Sequence, residues 1–279
     1  AIRMGITCIG VASNEEARVA REKGFKGRLM RLRNATVDEV ENALRYNIEE
    51  LVGNLEVARQ LNQLATRKGV KLPVHLALNS AGMSRNGLEM STAEGQQQAV
   101  DLTRLDHLNI VGIMTHFPVE EREDVLQGLA KFKEQSGWLI EHAKLDRSRI
   151  TLHCANTFTT LEVPEGWLDM VRPGAALYGY PVGGHNEFQR VMQFKSRVAA
   201  VNAYPAGSTI SYDRTFTLSK DSLIANIPAG YSDSHWTTIA ARAGTLVAVG
   251  GHAHDHSISV SLENATKNRY LFFYYGITF

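Results

Sequence analysis

The sequence predicts an α/β fold, a (β/α)8-type barrel lacking its first strand and followed by a mostly β C-terminal domain, and three observations lead there. From residue 6 to about 180, short β-branched runs alternate with amphipathic helical stretches, the pattern of parallel strands joined by crossover helices. Polar residues gather where each run ends. After about residue 190 helical periodicity disappears, and short β-type runs punctuated by Gly, Pro and Asp take over.

The elements follow in order. TCIGVAS is the first strand, and it ends on Ser13-Asn14, residues whose side chains cap helices. NEEARVAREKGF follows, with carboxylates in its first turn where the helix dipole favours them. The unit recurs as GRLMRLR with TVDEVENALRYN, EELVGN with LEVARQLNQLATRKG, and VHLALNS with STAEGQQQAVDLTRLD after a glycine-rich loop. It continues through LNIVGIMTHF and a long helix at about residues 123–144, ITLHCAN and a short helix, and LDMVRPGAALYG. That makes roughly seven strands, one short of the eight a closed barrel needs. Residues 1–5 read as the tail of a helix, so the expected missing strand is the first. The strand ends carry Ser13, Arg33, Asn54, Asn79, His116, Asn156 and Arg172, and in a barrel these ends open onto the face where active sites are built. The expected domains are therefore a partial barrel at 1–190 and a β domain at 191–279.

Composition narrows the function classes. Lys plus Arg (30) nearly balances Asp plus Glu (29), so no strong field favours nucleic acid, and a small molecule is the expected partner. No apolar run reaches the roughly 18 residues a membrane span needs, and the opening residues lack the layout of a complete export signal. Cys8 and Cys154 have neither metal-ligand spacing nor the density of a disulfide scaffold.

The stretches LNSAGMSRNG, GIMTHF, LHCANTF, DMVRPGAALYG, ISYDRTF and IPAGYSD, in that order over about residues 5–233, resemble the alanine racemase family of fold-type III pyridoxal-phosphate enzymes, and most of all its broad-specificity amino-acid racemases. The resemblance implies a barrel that binds pyridoxal 5'-phosphate at its strand ends and a β domain that closes over the site of a second subunit. A head-to-tail homodimer follows from it.

It also assigns residues. Arg172 matches the arginine that donates to the pyridine nitrogen of the cofactor. Because a guanidinium does not readily give up its proton, that nitrogen stays largely unprotonated and racemisation is favoured over transamination. Asn156-Thr157 and Gly174-Ala175 match phosphate-binding positions. His116 matches a histidine that supports the catalytic tyrosine through the network of Arg172, and His153 matches a further site position. Tyr212 matches the tyrosine on one face of the substrate α-carbon; with an ordinary pKa of about 10, it needs nearby positive charge to act as a base near neutrality. Arg85, with Met83 beside it, matches the element next to the substrate carboxylate, a group that guanidinium geometry suits. Tyr231 resembles a position at the substrate entrance. Alanine-specific members often place a lysine upstream of the Arg85 element, where this chain has Ala77-Leu78-Asn79, which favours the broad-specificity branch.

Two departures stand beside these matches. The family's second base is the lysine that also carries the cofactor, in a KADAYGHG-like motif on the first strand. No such motif occurs in these residues, and Lys26, Lys195 and Lys220 read as loop or helix-flank positions. A relative that binds ligand without turnover is therefore the alternative expectation. After about residue 233 the motifs stop. His252, His254 and His256 alternate there with Asp255 between, a spacing that on a strand sets three imidazoles on one face, but a metal site is not the expectation because closed sites usually want four ligands. The final YLFFYYG run has high β propensity and reads as a core or interface strand. The resemblance suggests a periplasmic location.

Overall fold

A computed structural model describes residues 2–191, 200–210, 214, 216–226, 238–242, 245–248 and 271–274. The chain divides into two compact units, Ala1–Met192 and Gln193–Phe279.

The first unit is a six-stranded parallel sheet in sequential order: β1 (Cys8–Val11), β2 (Arg28–Arg31), β3 (Ile48–Val52), β4 (Leu72–Ala77), β5 (Leu108–Met114) and β6 (Thr151–His153). The crossovers carry α1 (Asn14–Glu22), α2 (Val37–Ala43), α3 (Leu55–Lys68), α4 (Ala93–Thr103) and α5 (Arg122–His142), and α6 (Thr157–Glu162) follows β6. Strand neighbours that are also sequence neighbours, each joined through a helix, make the sheet curl in one sense.

Each helix starts where a side chain can accept an otherwise orphaned N–H. Ser13, Asn54, Thr92, Glu121 and Asn156 cap α1, α3, α4, α5 and α6, and Thr36 with Glu39 forms a reciprocal capping box on α2. Three of the expected strand-end residues, Ser13, Asn54 and Asn156, thus spend their side chains starting the next helix.

Period-2 alternation sorts the strand residues into two layers. On the helix side, Leu61, Leu64, Leu76, Leu102, Ile113, Phe132 and Leu139 are buried in one core, and Leu29 packs with Val11, Ala17, Phe25, Ala43 and Ile48 in a smaller one. Arg31 and Glu50 also lie in this layer, fully buried and paired at 2.6 Å, with Asn14 accepting a third bond from Arg31 at 2.8 Å. Burial pushes the Glu50 carboxyl up, against the hydrogen bond from Arg31. On the inner side, the paired rows are Met30 with Glu49, Leu51 with His75, His75 with Gly112, and Met114 with His153.

The expected seventh strand does not form. The segment at 168–172 makes two backbone bonds to the β6 region, Asp169 N–H to Leu152 O and Arg172 N–H to Ala155 O. Its continuation is blocked on both sides, by the left-handed backbone of Leu168 (φ 49°) and by Pro173, which has no N–H to offer a ladder.

The second unit is antiparallel wherever it is described. β7 (Ala200–Tyr204) pairs with β10 (Ser222–Asn226), β8 (Thr209–Ile210) with β9 (Phe216–Thr217), and β11 (Thr238–Arg242) with both β12 (Thr245–Ala248) and β13 (Leu271–Tyr274). The last of these lies in the aromatic run. His252, His254 and His256 lie outside the described residues.

Candidate active site

Arg172 makes the last backbone bond to the β6 region, and its guanidinium reaches back into the inner face of the sheet. Its Nε–H donates to His153 Nδ1 at 2.9 Å and its Nη2 to the carbonyl of Thr115 at 2.9 Å. Nη1 has no partner among the described residues. Burial lowers the Arg172 pKa to about 10, which leaves it charged at neutrality. His153 is fully buried, and burial, the Arg172 charge and the neighbouring His75 together press its pKa well below the ordinary value.

The network continues inward. His153 Nε2 lies 2.9 Å from His75 Nδ1, and His75 Nε2 lies 2.9 Å from Glu49 Oε2. Arg28 closes it with two bonds to Glu49, 2.7 and 2.9 Å. Burial opposes the Glu49 charge, but hydrogen bonds from His75 and Arg28 outweigh it and hold the carboxyl at about 2.

The histidine bonded to Arg172 is therefore His153; the support that His116 was expected to give Tyr212 through that network falls partly outside the described residues, because Tyr212 does. Residue parity and reach explain why His153 makes the bond. His153 ends β6 on the inner row, whereas His116 lies beyond the end of β5 and makes no side-chain hydrogen bond to a described residue. Burial, then the charges of Arg172 and Arg85, lower the His116 pKa to about 4.

Arg85 and Met83 lie on the loop after β4. Asn79 fastens that loop, accepting from Ser84 N–H at 2.8 Å and donating to Glu89 at 2.8 Å, and it holds Ser84 at a left-handed φ of 49°. Arg85 is exposed and forms no ion pair among the described residues. Ala77, on the inner row, packs with Leu51 and Met114.

A second corner forms where α6 begins and a short 3-10 helix, Ala175–Tyr178, starts. The buried Thr157 hydroxyl accepts from Ala176 N–H at 3.4 Å, drawing the two helix starts together. A Cβ on Gly174 would meet nothing within 4 Å, so the backbone there borders open space. The Asn156 Oδ1 accepts from Thr159 N–H at 2.9 Å.

Arg172, His153, His116 and Arg85 are thus brought to one region, and Asn156, Thr157, Gly174 and Ala175 to a neighbouring corner. Tyr212, Tyr231 and Lys195 lie outside the described residues. Lys26 and Lys220 are exposed on loops. Among the described residues no group of His, Cys, Asp or Glu could hold a metal, and no helix is long and apolar enough to cross a membrane. Sequence reasoning missed His75, Glu49, Arg28 and Gly112. A signal was present: Glu49 and His75 are ionisable residues inside strands, one position out of phase with the helix-facing row.

The alanine racemase N-terminal domain family model matches residues 1–181, and the C-terminal domain model matches residues 191–264, past the point where the sequence motifs stop. The chain belongs to the alanine racemase family. The broad specificity amino-acid racemase of Aeromonas hydrophila subsp. hydrophila is 56% identical over 246 residues, covering 88% of this chain and 60% of that protein. That of Pseudomonas putida is 58% identical over 234 residues, 84% and 57% of the two chains. The lysine racemase of Proteus mirabilis is 47% identical over 247 residues, 88% and 60%. The chain thus spans about 60% of the length of these relatives of the alanine racemase family. Its fold is also that of the solved alanine racemases. The Clostridium difficile 630 enzyme matches with a TM-score of 0.67 at 24% identity, over 96% of this chain and 72% of that one. The Bartonella henselae enzyme, solved with covalently bound pyridoxal phosphate, matches at 0.61 and 22%, over 85% and 67%.

Proposed function

We propose that this protein is a pyridoxal-phosphate-dependent amino-acid racemase of broad specificity, interconverting the L and D forms of free amino acids. The observation that carries the reading is the pair of guanidiniums, Arg172 and Arg85, that act on a His116 held neutral, with no carboxylate paired to either among the described residues. Such a region is built to receive anionic and electron-rich groups. The similarity to broad-specificity relatives at 56 and 58% identity supports the choice of substrate class.

The residues fit the cofactor. Arg172 keeps an Nη1 amine without a described partner, the donor that a pyridine nitrogen would accept from, and Thr157 with the open backbone at Gly174 and Ala175 suits a phosphate. When bound, pyridoxal phosphate supplies an electron sink for the carbanion left when the α-proton departs. Arg172 would hold the ring nitrogen by a donated hydrogen bond, and its retained proton keeps that nitrogen neutral, which disfavours transamination. Arg85 would hold the substrate carboxylate beside Met83. His116, neutral near pH 7, would offer hydrogen bonding without adding charge, and Tyr212, the proposed base on one face of the α-carbon, would ionise more readily beside cations such as Arg172 and Arg85. Asn156 contributes by starting α6, and Tyr231 would line the entrance.

We extend the reading to a head-to-tail homodimer in which Tyr212 is supplied across subunits, and to a periplasmic location. Both rest on the family resemblance. Sedimentation and cell fractionation test them.

The activity test incubates the protein and pyridoxal phosphate with single L-amino acids, lysine and alanine among them, and follows the D form by chiral chromatography. A visible absorbance spectrum before and after borohydride, with peptide mapping, runs alongside. D-product from several side chains is the expected outcome. A bound cofactor with no D-product would favour the alternative, a relative that binds ligand without turnover.

A further inference from the structure

The inner face of the sheet holds one continuous line of side-chain hydrogen bonds: Arg172, His153, His75, Glu49 and Arg28. The two groups that flank its histidines differ in kind. The guanidinium Nε–H of Arg172 can only donate, and the ionised carboxylate of Glu49 can only accept. Between them stand two imidazoles, each touching its neighbours through both ring nitrogens.

Only one arrangement of protons satisfies every contact. His153 Nδ1 accepts from Arg172, so His153 carries its proton on Nε2 and donates to His75 Nδ1. His75 then carries its proton on Nε2 and donates to Glu49. Any other placement sets two donors or two lone pairs face to face inside a buried space, where the mismatch costs most. The tautomer of one ring nitrogen is set by the bond the other makes.

We propose that His75, Glu49 and Arg28 are positioning residues that fix the tautomer of His153 and, through it, the orientation of the Arg172 guanidinium. Glu49 sets the direction of the line, and Arg28 keeps Glu49 an acceptor by binding both its oxygens. The backbone is shaped for the arrangement. The β4–β5 register slips between Val74 and His75, so that Val74 faces Ile110 while His75 faces Gly112. A Cβ at Gly112 would lie 2.1 Å from His75 Nδ1, the atom that accepts from His153. The bulge and the missing side chain together make the space in which that bond forms. With Thr115 O holding Nη2, the bond from Nε to His153 leaves the guanidinium plane no freedom to turn. The consequence for cofactor binding rests on the racemase reading above; the proton arrangement does not.

The test is nitrogen-15 NMR of the histidine rings and of the Arg172 Nε–H at neutral pH. In the unaltered protein both His75 and His153 are expected neutral and protonated on Nε2. Either ring charged, or protonated on Nδ1, overturns the proposal without any variant. R172M separates cause from effect: His153 is expected to keep its Nε2 proton because Glu49 and His75 still impose it, and loss of that tautomer would mean that Arg172 sets it instead. H75Q retains one donor and one acceptor and is expected to preserve the Arg172 Nε–H signal, whereas H75L is expected to lose it; equal signals in the two overturn the positioning role. Pyridoxal phosphate titration by absorbance is expected to show weaker binding by H75L than by H75Q. No binding by the unaltered protein would sink the racemase reading while leaving the ring measurements to decide the proton arrangement.

Discussion

At the level of single residues, the chain uses buried charge in two different ways. The Arg31–Glu50 pair lies among helix-facing apolar groups, with 0 and 3% of the side chains exposed, so each partner depends on the other for solvation. Removing one leaves a charge buried and unpaired, a change that typically costs about 3–5 kcal/mol. E50A is expected to destabilise the protein by that amount in urea unfolding followed by circular dichroism, and the double change R31M/E50M by clearly less, since it strands no charge. The inner line differs because its members have unequal access to water: Arg28 is 43% exposed on its side chain, whereas His75 and His153 are buried completely. Neither pair was visible as a pair in the sequence. Arg31 and Glu50 are 19 residues apart, and only the β2–β3 register places them together.

At the level of elements, helix starts were legible and strand phase was not. Ser13, Thr36 and Asn54 stand immediately before helical periodicity begins, and each does cap its helix. T36A removes the hydroxyl half of the capping box and is expected to cost about 1 kcal/mol, measured as a shift in denaturation midpoint. The bulge between β4 and β5 has no comparable local signature. Its consequence is sharp at Gly112, where even a methyl group collides with His75. G112A is expected to cost about 1–3 kcal/mol as an overpacking change and to break the His75–His153 bond, which the ring NMR spectrum reads directly. A destabilised variant with unaltered histidine signals would show that the sheet yields elsewhere. The same element-scale view explains why LDMVRPGAALYG did not become a strand: Leu168 and Pro173 limit it to two backbone bonds.

At the level of the whole molecule, acid sensitivity follows from the site. His116 has a folded pKa of about 4 against an ordinary 6.5, so the folded state binds fewer protons than the unfolded chain in that window. Its contribution to stability is present above pH 6.5 and is lost as the pH falls through 4, and His153 acts in the same direction. Glu49, at about 2 against 4.5, adds a second loss between pH 4.5 and 2. Urea midpoints taken from pH 8 to 3 are expected to fall in both windows, and a flat profile between 6.5 and 4.5 would contradict the neutral, buried histidines. From the sequence by itself came the alternation of strands and helices, the change to β texture near residue 190, and the family motifs that single out Arg172, His116, His153 and Arg85. These are local patterns, carried by residues close together in the chain. Tertiary structure alone decided which histidine bonds Arg172, that His75, Glu49 and Arg28 stand behind it, and where each ring proton must sit. Those facts depend on strand phase and on a one-residue slip in register, and a hydrogen-bond line that joins β2, β3, β4, β6 and the segment of Arg172 exists only when these distant segments are assembled on one sheet.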